Sequence, residues 1–416
     1  MKLFEVSHSC LMDILYKKTP FKLAVENTCT KHTVFREDRK NLTNILGCSL
    51  RHFYVFEHLI SLLEKSFTEE QNAALLLYLS NHLFVPVLSA NEIDGFIAKL
   101  EIKEDVLERL NQLTIDKTRL IPENFANESI EYLHYRFNVP LWVLKMWMKH
   151  FKGYTYKIVK SINRPTNHYA IISSGVSDKE SLLKDHLEIK STQFENLYLF
   201  DGKVAPKRHS LFKEEKLISI TPAEYYLLSK LDLDILRGIA TYSETQNELH
   251  LQLMGLLSKQ YKMELIAGTP EALYSAKKDI DNFKLLGVNL YEANHSSIIT
   301  CLSEKVHTFF VLPKNTNFAE FRKSPDYFNR VKQSDLDGFI ANQKAALINA
   351  ADFIEDNGNL IYMVPTMNKK ETVQIVDDFL KERKDFTLVE QKQFLPFDKY
   401  DSTLFIAIFR KEGSND

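Results

Sequence analysis

The chain has 416 residues, enough for two or three domains. Hydrophobic residues make up 44% and charged residues 26%, a globular composition that excludes a disordered, collagen-like or coiled-coil chain. Basic and acidic residues number 53 and 55, a net charge of −2, so any nucleic-acid surface must be local.

The opening stretch, MKLFEVSHSCLMDILYKKTP, has polar breaks and no small-residue cleavage site, and so does not read as a signal peptide. No apolar run is long enough to span a bilayer; the expectation is a cytoplasmic protein without membrane contact. The first 125 residues read as helices. Arg51–Phe67 carries a broad apolar face of Phe53, Val55, Phe56, Leu59, Ile60, Leu62 and Leu63. Asn72–Phe84 repeats the pattern until Pro86 stops it, and Asn91–Leu100 and Asp105–Leu113 are shorter versions. An all-helical bundle is expected here.

Residues 126–216 differ. From Tyr132 to Ser177 there is no Asp or Glu, whereas Arg136, Lys145, Lys149, Lys152, Lys157, Lys160 and Arg164 fall in that window. Aromatic rings, among them Trp142, Trp147, Tyr154 and Tyr156, are interleaved with them. Cations without competing acids neutralise phosphates, and rings stack on unpaired bases. The plainer reading is a solvated helix face over a core of Trp142, Leu144, Trp147 and Met148. Several lysines lie outside that helix, so RNA contact is preferred, with Arg136, Lys149, Lys152, Lys157, Lys160 and Arg164 as the contact residues and the two tryptophans as core. Residues 121–216 hold 15 basic and 11 acidic residues, against 15 and 16 before them and 23 and 28 after. Nothing points to DNA.

From residue 217 short apolar runs alternate with helical patterns. Strands are expected at Leu236–Ala240, Met263–Ala267, Val288–Glu292, Thr308–Leu312, Leu360–Val364 and Thr403–Phe409. Helices are expected at Gln252–Gln260, Ala272–Leu286, Asp337–Asp356 and Lys370–Arg383, with Gly358 as the left-handed cap of the third. Such alternation predicts a Rossmann-like, mostly parallel doubly wound sheet over 217–416, with the last strand antiparallel. The fold class is therefore a helical bundle, a small α+β segment and an α/β domain.

These pieces, in this order, carry a resemblance. Tyr132-Leu133-His134-Tyr135 with Pro140-Leu141-Trp142-Val143-Leu144-Lys145 looks like an "SHP-x-W-L-V" entry helix, and Asn163-Arg164-Pro165 like an "N-R-P" strand. Leu211-Phe212 with Leu217–Ala223 looks like "G-x-F-x-V-Q-D-x-S/A", and Phe283–Val288 like "N-L-x-R-L-G-V". Arg322-Lys323-Ser324-Pro325-Asp326 matches "R-R-x-P-D", Leu360-Ile361-Tyr362 matches "L-V-Y", and Phe394-Leu395-Pro396 with Asp401–Lys411 matches the family's ending. The chain so resembles the Fmu/Sun-type ribosomal RNA cytosine-C5 methyltransferases, which use S-adenosylmethionine and carry a NusB-like helical domain in front.

The resemblance also implies where chemistry should sit. The family's first strand ends in "D-L-C-A-A-P-G-G-K-T", whose small residues let the backbone approach the cofactor. Here that stretch is matched to Arg237–Thr245, with Ala240 in the loop and Ser243 and Glu244 at the glycines. Arg237 stands near the family's Asp. Glu271 is the acid nearest the ribose position, and Asn294 falls at the adenine position. A cysteine thiolate must attack carbon 6 of cytosine so that carbon 5 can accept the methyl group. The family's "D-A-P-C-S" reads Val311-Leu312-Pro313-Lys314-Asn315, and its "T-C-S" reads Val364-Pro365-Thr366. Lys314 and Pro365 replace both cysteines and Val311 the Asp.

The remaining cysteines, Cys10, Cys29, Cys48 and Cys301, show no C-x-x-C spacing, so neither a zinc site nor a disulfide framework is indicated and no metal is expected. Cys301 falls outside both motifs and reads as a structural thiol. Pro313-Lys314-Asn315 resembles loops that position an amino group, but Thr316 supplies no ring to stack the base. The expectation is a pseudoenzyme that binds RNA, ribosomal RNA or a ribosomal precursor, with no cofactor. Three alternatives remain: a working methyltransferase with a divergent S-adenosylmethionine pocket, a protein-interaction module built on the NusB-like bundle, and a stable protein with no present role. Oligomeric state is not legible.

Overall fold

The computed structural model describes residues 2–116, 120–122, 125–126, 129–201, 206–231, 237–257 and 262–413. They form two compact units: residues 1–164 with 320–333, and residues 165–319 with 334–416. The seam at Arg164 and Pro165 falls within the 126–216 stretch. Among the described residues no helix is long and apolar enough to cross a membrane.

The first unit is helical. Its centre is the helix Glu69–Leu83, which buries Ala73–Leu77, Leu79 and Leu83 on all sides; a helix apolar all round belongs inside. Thr68 and Gln71 close its amino end with a capping box. Leu3–Leu15, Arg36–Arg51 and Phe53–Ser61 pack against it, and Ser49 and Ser80 share a hydroxyl hydrogen bond of 2.6 Å in the middle. The expected Arg51–Phe67 helix is in fact the end of one helix and the whole of another, broken at His52. Phe21–His32, Ala90–Lys99, Glu104–Leu113, Ile130–Phe137, Leu141–Phe151, Thr155–Ile162 and the short Tyr327–Arg330 are further helices of the unit. The segment 320–333 joins it through Arg322, whose guanidinium donates twice to the carbonyl of Ser161 at 3.0 and 3.2 Å.

The second unit has two sheets. β1 (His168–Ile172), β2 (Ile189–Ser191), β3 (Leu197–Phe200) and β4 (Leu217–Ser219) form an antiparallel sheet in the order β2-β3-β1-β4. The larger sheet comprises β5 (Ile239–Ser243), β6 (Met263–Ala267), β7 (Val288–Glu292), β8 (Val306–Leu312), β9 (Ile354–Val364), β10 (Phe386–Phe394) and β11 (Leu404–Lys411). Its order is β10-β11-β9-β8-β5-β6-β7, parallel from β9 to β7 and antiparallel at β10 and β11. Successive residues of each strand enter two separate cores. Phe310, Ile361 and Ile406 face one, while Phe309, Leu360 and Phe405 face the other, as in a sheet covered on both sides. This is the Rossmann-like, mostly parallel sheet expected.

Several details differ from expectation. The helix expected at Gln252–Gln260 runs Leu249–Leu256, and residues 258–260 lie outside the described residues. The first parallel strand is Ile239–Ser243, three residues later than Leu236–Ala240; residue 236 lies outside the described residues. The helix Asp337–Asp356 stops at Ala351, and its last residues begin β9. Gly358 therefore caps no helix. It sits inside β9, where an added Cβ would come within 2.8 Å of the carbonyls of Glu355 and His307. β10 was not foreseen; its run Phe-Thr-Leu-Val-Glu-Gln-Lys-Gln-Phe is half polar because it is an edge strand.

Candidate functional site

Strand order reverses beside β5, which lies between β6 and β8. In open sheets ligands enter at the carboxyl ends of strands flanking such a reversal. Here those ends are Ser243, Ala267 and Leu312.

Glu244 follows β5 and turns its side chain, only 8% exposed, into this place. Its Oε2 accepts the backbone N–H of Lys314 at 2.7 Å, and its Oε1 lies 3.5 Å from Nδ1 of His295. Its Cγ approaches Gly268 so closely that a Cβ there would be 2.6 Å away, with the Tyr242 hydroxyl at 2.8 Å. Glycine at 268 is thus required to make room for Glu244 and Tyr242. Burial, and then the charge of Glu244, push the Tyr242 phenol far above its ordinary range.

The loop after β5 is closed by its own side chains. Ser243 Oγ donates to the carbonyl of Thr245 at 2.6 Å and accepts from Asn247 Nδ2 at 2.8 Å. Asn247 Oδ1 accepts the N–H of Leu249, which opens the helix Leu249–Leu256. Between the strand ends and the helices that follow, a cleft of about 20 Å³ remains, lined by Thr241, Ser243, Asn247, His250 and Ala267. That is room for about one water, whereas small-ligand pockets measure roughly 300 Å³ or more.

The residues matched to cofactor contacts are dispersed. Ala240 is a wholly buried strand residue. Glu271 is exposed in the first turn of the helix Pro270–Phe283. Asn294 spends its Oδ1 on the N–H groups of Ser296 and Ser297, at 2.9 and 3.1 Å. Arg237 lies at the other end of β5, paired with Glu355 at 2.5 Å, beside a recess of about 110 Å³. Glu244 and Tyr242 thus crowd the strand end beside Gly268, and Arg237 takes no part there.

The two loops matched to the cysteine motifs do come together, through a residue the sequence did not single out. Glu371 is wholly buried. Its carboxylate accepts from the N–H of Thr316 at 2.9 Å, Thr316 Oγ1 at 2.7 Å, Gln343 Nε2 at 3.0 Å and Asn368 Nδ2 at 3.0 Å. Thr316 and Thr366 share a further hydroxyl contact of 2.5 Å. Lys314 itself is exposed, with its ammonium 5.7 Å from the ring of Phe339, and Pro365 is half-buried. Val311 is buried in β8. No thiol reaches these loops. Cys301 is half-buried with Sγ 3.8 Å from the carbonyl of Ser297, and Cys10, Cys29 and Cys48 are buried in the helical unit. Burial raises the Cys10 and Cys48 thiols to about 11.

His186, Glu188 and His209 bring three metal-type donor atoms within 4.8 Å of one another. His209 Nδ1 accepts the N–H of Leu211 at 3.2 Å, so its proton sits on Nε2, 2.8 Å from Glu188. Glu188 and His209 form a hydrogen-bonded pair, with His186 Nδ1 3.7 Å from Glu188; a metal on Nε2 of His209 would have to displace its proton from a ring whose other nitrogen is already an acceptor.

In the helical unit all six basic residues singled out are exposed, and none pairs with a carboxylate among the described residues. Lys149 and Lys152 end one helix face, and Lys157, Lys160 and Arg164 follow along the next. Lys157 and Lys160 lie over the rings of Tyr154 and Tyr156 at 5.5 and 5.8 Å. Trp147 is wholly buried and Trp142 half-buried. The "R-R-x-P-D" stretch is also in this unit. Buried Asp326 accepts from the N–H of Phe21 at 3.1 Å and from Arg330 Nε at 2.5 Å.

No family model and no curated protein sequence matches the chain. Solved structures do. The crystal structure of PH0851 matches with a TM-score of 0.74 over 98% of this chain and 99% of its own, at 15% identity. The methyltransferase homolog protein from Pyrococcus horikoshii matches at 0.58, over 69% of this chain and 100% of its own, at 11% identity. NSun6 from Pyrococcus horikoshii, solved with SFG, matches at 0.53, over 65% and 98%, at 14% identity. At such identities the likeness is one of fold: along nearly its whole length this chain has the fold of PH0851, and over about two thirds of it that of the two Pyrococcus proteins.

Proposed function

We propose that the protein binds RNA, ribosomal RNA or a ribosomal precursor, and transfers no methyl group. The observation that carries the second half is the seat of Glu244. In this reading its carboxylate occupies the strand ends where a methyl donor would lie, held by the backbone N–H of Lys314. Catalysis by the cytosine-5 route would also need a thiolate within reach of the base. The two loops that would carry it are joined instead by Glu371, which rigidifies them without offering a nucleophile to solvent.

The RNA half is supported by exposed cations in a stretch of sequence, Tyr132–Ser177, that is free of acids. In this reading residues 1–125 act as a NusB-like front domain, and residues 126–216 lead into the methyltransferase-like domain 217–416. Lys149, Lys152, Lys157, Lys160, Arg136 and Arg164 neutralise phosphates, a term that falls with salt. Incubation of pure protein with tritium-labelled S-adenosylmethionine and a ribosomal transcript should leave the RNA unlabelled. Filter binding should retain the same transcript at low salt and release it as salt rises. Label in the transcript overturns the reading of inactivity; no retention at any salt overturns the RNA reading and favours a protein partner.

The fold likeness to NSun6, solved with SFG, favours a second reading, an active enzyme with a divergent site. Calorimetry separates the two, because that reading requires a micromolar heat signal with S-adenosylmethionine.

A further inference from the structure

Residues Lys152–Tyr154 form a short turn between the helices Leu141–Phe151 and Thr155–Ile162. Lys152 has φ 48° and ψ −123°, a region that glycine enters freely and lysine only under strain. A glycine stands at the next position, where the backbone does not require it. Gly153 is not left-handed, and an added Cβ would meet nothing within 4 Å. The turn thus holds a cation in its strained seat and leaves bare backbone beside it. Tyr154 follows and is 55% exposed, with the Lys157 ammonium 5.5 Å from its ring centre. Lys149 is exposed one turn earlier, and no carboxylate occurs between Tyr132 and Ser177.

We propose that the Lys152–Gly153–Tyr154 corner seats one unpaired RNA nucleotide, a step that rests on the RNA-binding reading above. The base stacks on Tyr154, and Lys152 and Lys157 hold the flanking phosphates. Gly153 lets the sugar–phosphate chain approach the backbone. A duplex keeps its bases stacked on one another and offers the corner only phosphates, so the seat discriminates in favour of single strands.

Fluorescence anisotropy of the full chain tests this with a labelled 12-nucleotide single strand and a blunt duplex of the same sequence. Tyr154→Ala should weaken the single strand about tenfold and leave the duplex within about twofold, while Tyr154→Phe binds as wild type. Lys152→Gly relieves the strained seat and removes its charge. It should raise the thermal midpoint and still weaken the single strand several-fold. A raised midpoint with undiminished binding would assign Lys152 no contact and overturn the seat. Unchanged single-strand affinity in Tyr154→Ala, with wild-type binding intact, overturns the stacking and leaves the broader reading standing. Failure of the wild-type chain to bind either RNA overturns the broader reading itself.

Discussion

Thr316 gives both its backbone N–H and its hydroxyl to one carboxylate, that of Glu371, at 2.9 and 2.7 Å. The two residues stand in the loops after β8 and β9, so this pair, together with the Thr316–Thr366 hydroxyl contact, fixes those loops to each other. Glu371→Ala would strand the donors of Thr316, Gln343 and Asn368 in a buried space. Each orphaned group costs about 1–3 kcal/mol and the sum is not additive, so a loss of about 4 kcal/mol is expected for the sheet unit. Urea unfolding followed by intrinsic fluorescence measures it. A loss below about 1 kcal/mol would mean that the clamp is not structural.

On the proposed reading, thiols placed in the two loops should confer no methyl transfer. In Lys314→Cys/Pro365→Cys, Glu244 still crowds the strand end beside Gly268 and Glu371 still holds the loops. Mass spectrometry of nucleosides from an incubated transcript should reveal no 5-methylcytosine. Its appearance would show that the donor can enter beside Glu244.

Glu244 was legible as a site residue from its match to the glycine-rich loop, but Glu371 was not, because an isolated glutamate in Lys-Lys-Glu-Thr looks solvated until tertiary contacts bury it. The strands of the parallel sheet were legible where apolar runs are uninterrupted: Met263–Ala267 and Val288–Glu292 lie where their patterns put them. β5 slipped because its hydrophobicity runs on through a tyrosine and two hydroxyl residues, all buried at the sheet centre. Gly358 misled in the opposite direction. A glycine after a long helix normally marks a left-handed cap, but here β9 is irregular between its pairings with Val306 and Thr308. The glycine serves a close approach to the neighbouring strand.

Asn138 links two helices of the first unit and should be intolerant of change. It is left-handed at φ 55° and ends the helix Ile130–Phe137. Its side chain accepts from the N–H of Tyr54 at 3.0 Å and donates to the carbonyl of Leu50 at 2.7 Å. Asn138→Gly keeps the backbone conformation and loses both bonds, for about 2 kcal/mol. Asn138→Ala adds left-handed strain of about 1 kcal/mol. Thermal unfolding should rank them wild type, Gly, Ala; equal midpoints for the two variants would remove the strain argument.

Acid should loosen the same unit. Burial lowers His52, His58 and His134 below their ordinary value of 6.5. His52 stacks on Phe84 at 4.4 Å, and His134 packs on Tyr54 at 4.2 Å. Each therefore binds its proton more readily in the unfolded chain, so stability is full above about pH 7 and falls as pH drops through 6.5 toward the lower folded values. Thermal midpoints should decline between pH 7.5 and 5.5, and His52→Phe should flatten part of that decline. A midpoint that rises on acidification in that window would reverse the sign and refute the assignment.

Salt dependence reports how many cations meet phosphate. For a single strand, the logarithm of affinity falls against the logarithm of salt with a slope of about −0.7 per neutralised phosphate. If Lys149, Lys152, Lys157 and Lys160 each meet one, the slope should be about −3 by the same rule. Each lysine-to-alanine change should then shallow it by about 0.7, with no dependence on RNA sequence because phosphates carry none. The unfolding midpoint should stay unchanged, since all four side chains are exposed and make no ion pair among the described residues. A slope near zero with retained affinity would place the RNA on another surface. A slope that persists after all four are replaced would leave Arg136 and Arg164 as the contacts.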